Sequence, residues 1–113
     1  MNKREDLVFH VVSKRKFREQ FQAGRYNPPE AETEGLRCVD VHQLKEHLDR
    51  DFRSRKNLLI LVIDKIRLES RISLHEEDGT YHISGGINQD AVIDKIRIDC
   101  TIEGTFDVSV ESV

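Results

Sequence analysis

Apolar residues fall in short blocks along this chain, and the period within the blocks changes from one to the next. Leu7-Val8-Phe9-His10-Val11-Val12 is a β-branched and apolar run with His10 as its one polar side chain, and it predicts a buried, central strand. Ser13 then offers an N-cap, Phe17 and Phe21 sit one helical turn apart and Gly24 supplies a stop, so a helix is expected over about residues 14–23. Pro28-Pro29 and the acidic stretch Glu30-Ala31-Glu32-Thr33-Glu34 make residues 25–34 an exposed loop. Gly35-Leu36-Arg37-Cys38-Val39 reads as a short strand. Asp40 and Gln43 have capping-box spacing before a second helix, whose apolar stripe is Val41, Leu44, Leu48 and Phe52.

Leu58 to Ile63 is an apolar run too short for a typical helix and is expected to be a buried strand. Asp78-Gly79 predicts a turn, Thr80 to Ile83 a strand, and Ser84-Gly85-Gly86 a break. Ile96, Ile98, Cys100 and Ile102 alternate with polar residues, and Phe106, Val108 and Val110 repeat the pattern after Gly104, which predicts a closing β-hairpin over about residues 96–110. Val62-Ile63-Asp64-Lys65-Ile66-Arg67 recurs as Val92 to Arg97. The likeness fades outside the hexamer, and repeat folds need at least about three copies to close a core, so the echo is read as coincident strand-edge chemistry.

At 113 residues the chain has the length of one domain, residues 1–113, with a single core. It is 37% apolar and 35% charged with a net charge of −3. The two signs are interspersed, which disfavours nucleic acid and acidic membranes as partners. The longest apolar run, Leu58 to Ile63, is far short of the ~20 residues that cross a bilayer. No secretory signal is apparent at the N-terminus, so a cytoplasmic protein is expected, with Cys38 and Cys100 as reduced thiols.

His42 and His47 are five positions apart on the expected second helix, which turns them away from each other, so no metal site is expected and both are read as solvated. His75-Glu76-Glu77 is similarly short of a ligand set and reads as a strand end or turn. The basic group Arg50, Arg53, Arg55 and Lys56 is read as a solvated helix end. Spacing alone does not specify a nucleophile pair for Cys38. His10 differs, because an imidazole in an apolar strand must find a hydrogen-bond partner or line a cavity. His82 lies just before a glycine pair, on a surface strand or at a cleft where that strand ends.

Val8-Phe9-His10-Val11, Glu34-Gly35-Leu36-Arg37-Cys38 and Tyr81-His82-Ile83-Ser84-Gly85, in this order, resemble the motifs of the bacterial family called domain of unknown function 952, over roughly residues 7–98. The histidine of that family's second motif falls on Cys38. The resemblance implies a split antiparallel β core with two main helices on the ADP-ribosyltransferase-like plan, with NAD or a related nucleotide in a central cleft. It further implies that His10 holds the ribose and nicotinamide side, Cys38 packs beside the nicotinamide, His82 orients an acceptor or stabilises the transition state, and Gly85 lies at the cofactor. ADP-ribosyl transfer is the activity the resemblance suggests. A non-catalytic module that keeps the fold and binds a small molecule or a protein is the alternative.

Overall fold

The computed structural model describes residues 6–108, which form β1 (Leu7–Ser13), α1 (Lys14–Gln20), β2 (Phe21–Gln22), β3 (Arg25–Tyr26), β4 (Leu36–Cys38), α2 (Leu44–Asp51), β5 (Leu58–Asp64), β6 (Arg71–His75), β7 (Thr80–Ser84), β8 (Ile87–Asn88) and β9 (Val92–Ile98). The fold is α+β. Three antiparallel sheets have the strand orders β1-β5-β9, β2-β3-β8 and β4-β7-β6. None of the described helices is long and apolar enough to cross a membrane.

β1 and β5 carry near-continuous apolar runs because both faces of their sheet are covered. Val8 and Val12 join Leu61 and Ile63 on one face, with Leu36, Cys38 and Ile83 from the β4-β7-β6 sheet and Tyr26 and Ile87 from the smallest sheet. Phe9 and Val11 join Leu58, Ile60 and Val62 on the other, against Leu44 and Leu48 of α2 and Phe106. Burial of this kind removes roughly 1.5–3 kcal/mol worth of apolar exposure per large side chain. The central strand is β5, not β1. β1 pairs with β5 along its whole length, while its other edge meets the residue after β4 through one bridge, Phe9 opposite Val39.

Ser13 caps α1 as expected, its Oγ accepting from the Lys16 N–H at 3.0 Å. The helix ends three residues earlier than the pattern predicts, because Ala23 (φ 53°) and Gly24 (φ 75°) form a left-handed turn that pairs Phe21 with Tyr26. Asp40 Oδ1 accepts from the His42 and Gln43 N–H groups at 2.9 and 3.0 Å, and the helix itself begins at Leu44.

The expected hairpin over 96–110 does not form. β9 pairs with β5 alone, residues 99–108 contain no strand, and positions 109–110 lie outside the described residues. A strand with one neighbour has no second sheet to bury its alternate side chains, and Ile96 and Ile102 are exposed. Phe106 is buried for another reason. Its N–H donates to Asp49 Oδ1 at 2.7 Å and its carbonyl accepts from Lys45 Nζ at 2.9 Å, which docks the segment on α2.

Candidate functional site

The cleft arises where β1 and β4 part. Phe9 and Val39 exchange both backbone hydrogen bonds, at 2.8 and 2.9 Å, and the pairing stops there. A continued ladder would set Val11 opposite Arg37. Instead, His10 Nδ1 donates to the Arg37 carbonyl oxygen at 2.7 Å. A carbonyl only accepts, so Nδ1 carries the proton and Nε2 of the neutral ring is an acceptor. Burial pushes the His10 pKa down to about 4, against the opposing pull of that hydrogen bond, so the ring is neutral at ordinary pH.

A cavity of about 350 Å³ opens at this point, lined by His10, Glu30, Glu34, Gly35, Leu36, Arg37 and His82. Its volume lies at the small end of ligand pockets and suits a nucleoside-sized group rather than a whole dinucleotide. The lining comes from three places. β1 supplies His10. The segment from the 3₁₀ turn Pro29–Glu32 into β4 supplies Glu30 to Arg37, and β7 supplies His82, directly opposite Arg37 in register. His82 Nε2 is buried without a hydrogen-bond partner among the described residues, and its ring stacks on His75 with centroids 3.7 Å apart. An unsatisfied buried polar atom costs roughly 1–3 kcal/mol.

Glu30 is held ionised. Lys16 Nζ donates to its Oε2, and this hydrogen bond keeps the carboxyl below the usual carboxylate range. Gly35 closes the wall with φ +82°. A Cβ there would stand 3.2 Å from the Ile83 carbonyl oxygen and 3.6 Å from His82 Cβ, so only glycine lets β4 pass so close to β7.

Two residues that the motif resemblance assigns to the cleft lie outside its lining. Cys38 is wholly buried in the core with Leu36 and Ile83, and burial raises its thiol pKa far above the ordinary range. In β4, Leu36 and Cys38 face the core while Arg37 points the other way. Gly85 (φ +107°) donates its N–H to the Ala31 carbonyl at 2.8 Å, tying the end of β7 to the turn that carries Glu30. Its part is to hold that turn.

Glu30, Glu34, Gly35 and Arg37 stood in the sequence as loop or motif residues, without an expected place in the cleft. The signal for Arg37 was strand alternation, one charged residue between two apolar ones. Of the two histidines expected on the surface of α2, His42 is exposed but His47 is only 6% exposed, with its Nδ1 2.8 Å from Asp51 Oδ2. Cys38 and Cys100 are free thiols.

No protein-family model matches the chain, and no curated protein matches it significantly. Among solved structures it is similar to protein CC0527 from Caulobacter crescentus. The crystal structure of that protein aligns with a TM-score of 0.76 over 89% of this chain and 93% of that one, at 16% sequence identity. A crystal structure of a double mutant of the same protein gives a TM-score of 0.72 over 89% and 93%, at 15% identity. Its solution structure gives 0.69 over 88% and 90%, also at 15% identity. Likeness at this identity establishes the fold.

Proposed function

We propose that the His10–His82 cleft binds the nucleoside part of NAD or a related nucleotide, on a split β core of the ADP-ribosyltransferase-like plan. The observation that carries this reading is the His10 tautomer: a neutral imidazole locked by the Arg37 carbonyl presents Nε2 as an acceptor, which suits a ribose hydroxyl. The unpartnered Nε2 of His82 supplies a second polar group, and the parting of β1 from β4 supports the split-core plan.

The alternative, a module that binds without turning the ligand over, is favoured by Cys38. Its thiol is sealed in the core, so the second motif contributes no side chain from that position to the cleft.

The test is ligand-observed NMR of NAD with the wild type and with His10→Ala, with free nicotinamide followed in the same samples. Saturable binding that His10→Ala abolishes supports the cleft. Nicotinamide release would favour transfer chemistry over the binding module, and an absence of binding at millimolar NAD would remove the reading.

A further inference from the structure

Arg37 lies between two cavities. It lines the His10–His82 cleft, and its guanidinium Nη2 donates to Asp78 Oδ2 at 3.2 Å. Asp78 is on the wall of a second, polar cavity of about 240 Å³, lined by Val39, Gln43, Glu46, His47, Arg50, Asp78 and Thr80. The two cavities follow the same pair of strands. Along β4 and its continuation the lining passes from Gly35 through Arg37 to Val39, and along β7 from His82 to Thr80. Two residues of strand span roughly 7 Å, so the cavities are neighbours with the Arg37–Asp78 pair between them.

We infer that Arg37 is an anchor for the diphosphate of a nucleoside diphosphate-sugar, whose first nucleoside occupies the His10–His82 cleft and whose second sugar enters the cavity of His47 and Thr80. This rests on the nucleotide reading above and names the part of the ligand that the cleft alone does not accommodate.

The chemistry of each group fits its part. A guanidinium matches phosphate oxygens with two parallel donors, and its present partner is a single half-exposed carboxylate contact, which is cheap to exchange. Release of Asp78 leaves its Oδ1 accepting from the Thr80 N–H at 3.0 Å and Oγ1 at 2.7 Å, so the turn is kept. The other acidic groups near the path are largely neutralised, Glu30 by Lys16 and Glu46 by Arg50 at 3.4 Å, which leaves Glu34 at the rim.

The experiment is calorimetric titration of the full chain with ADP-ribose and with adenosine, the riboside that is the same nucleoside without the diphosphate, for the wild type, Arg37→Gln and Asp78→Asn. The wild type is expected to prefer ADP-ribose by roughly tenfold or more, and Arg37→Gln, which keeps the backbone carbonyl that holds His10, to lose that preference. Asp78→Asn, which keeps the acceptor for Thr80 but removes the competitor for the guanidinium, is expected to bind ADP-ribose roughly two- to fivefold more tightly. Riboside binding with no diphosphate preference in the wild type, or a preference that survives Arg37→Gln, overturns the anchor and leaves the cleft standing. Failure of both ligands to bind overturns the cleft reading and the anchor with it.

Discussion

His10 and Arg37 meet through a ring nitrogen and a backbone carbonyl, 2.7 Å apart, beside the single bridge between Phe9 and Val39. That contact sets the tautomer of His10, and burial keeps the ring neutral with a pKa of about 4.

The first consequence is a pH dependence of stability. An unfolded histidine titrates near ~6.5, so between that value and about 4 the unfolded chain holds a proton that the folded one lacks. Stability from this group is complete above about pH 6.5 and falls as the pH drops towards 4, by at most ~1.4 kcal/mol per pH unit. His47, also shifted down by burial, acts in the same direction. Urea unfolding at about pH 7.5, 6 and 5 should show a steeper loss for the wild type than for His10→Asn. Equal slopes would contradict the neutral ring.

Cys38 is predicted to be a core residue. Native protein should alkylate at the half-buried Cys100 well before Cys38, read by mass spectrometry of peptides. Cys38→Ser should cost about 1–3 kcal/mol in thermal or urea unfolding and leave nucleotide affinity unchanged. Cys38→His, which would match the second motif of the family the sequence resembles, should destabilise the fold further rather than create activity, because the imidazole would enter the core. Nucleotide turnover by a folded Cys38→His variant would refute this placement.

Gly35 holds β4 against β7. Gly35→Ala combines a positive φ with a Cβ 3.2 Å from the Ile83 carbonyl oxygen, and should cost about 1–3 kcal/mol. The same change should weaken ligand binding, since it displaces both the Arg37 and the His82 walls. An alanine variant with wild-type melting temperature and affinity would rule out the close strand approach.

Phe106 and Ile102 separate the observed C-terminal segment from the hairpin that alternation predicts. Phe106→Ala should lose about 3–5 kcal/mol by emptying its place against α2. Ile102, fully exposed, should tolerate alanine within about 0.5 kcal/mol. Comparable losses at both positions would favour the hairpin.

These residues also mark how far the sequence could be read. The β-branched runs of β1 and β5 and the short strand β7 were legible, because burial on both faces or an adjacent turn leaves a compositional trace. The Ser13 cap was legible for the same local reason, whereas Asp40 serves the turn at His42 and Gln43 and the helix starts only at Leu44. The end of α1 was not, since nothing in an alanine announces the left-handed φ of Ala23. β9 misled because alternation predicts burial only where a second sheet covers one face, and none covers Ile96.

In the site, motif order pointed to His10 and His82, and both line one cleft. The same reading placed Cys38 there, although the alternation of Leu36, Arg37 and Cys38 sends the cysteine inward and the arginine to the cleft. Glu30 and Glu34 sat in a stretch whose acidity alone suggested an exposed loop. Only the fold of that loop over β7, fastened by the Gly85 N–H on the Ala31 carbonyl, brings Glu30 to the cavity.

A nucleotide cleft between His10 and His82 stands or falls on a protein-observed NMR titration with NAD that follows the histidine ring nitrogens and the backbone amides together. Saturable shifts are expected at the His10 and His82 rings and at Gly35 and Arg37, with β9 and Cys100 unmoved. The absence of saturable shifts at millimolar NAD, or shifts confined to other surfaces, would contradict it.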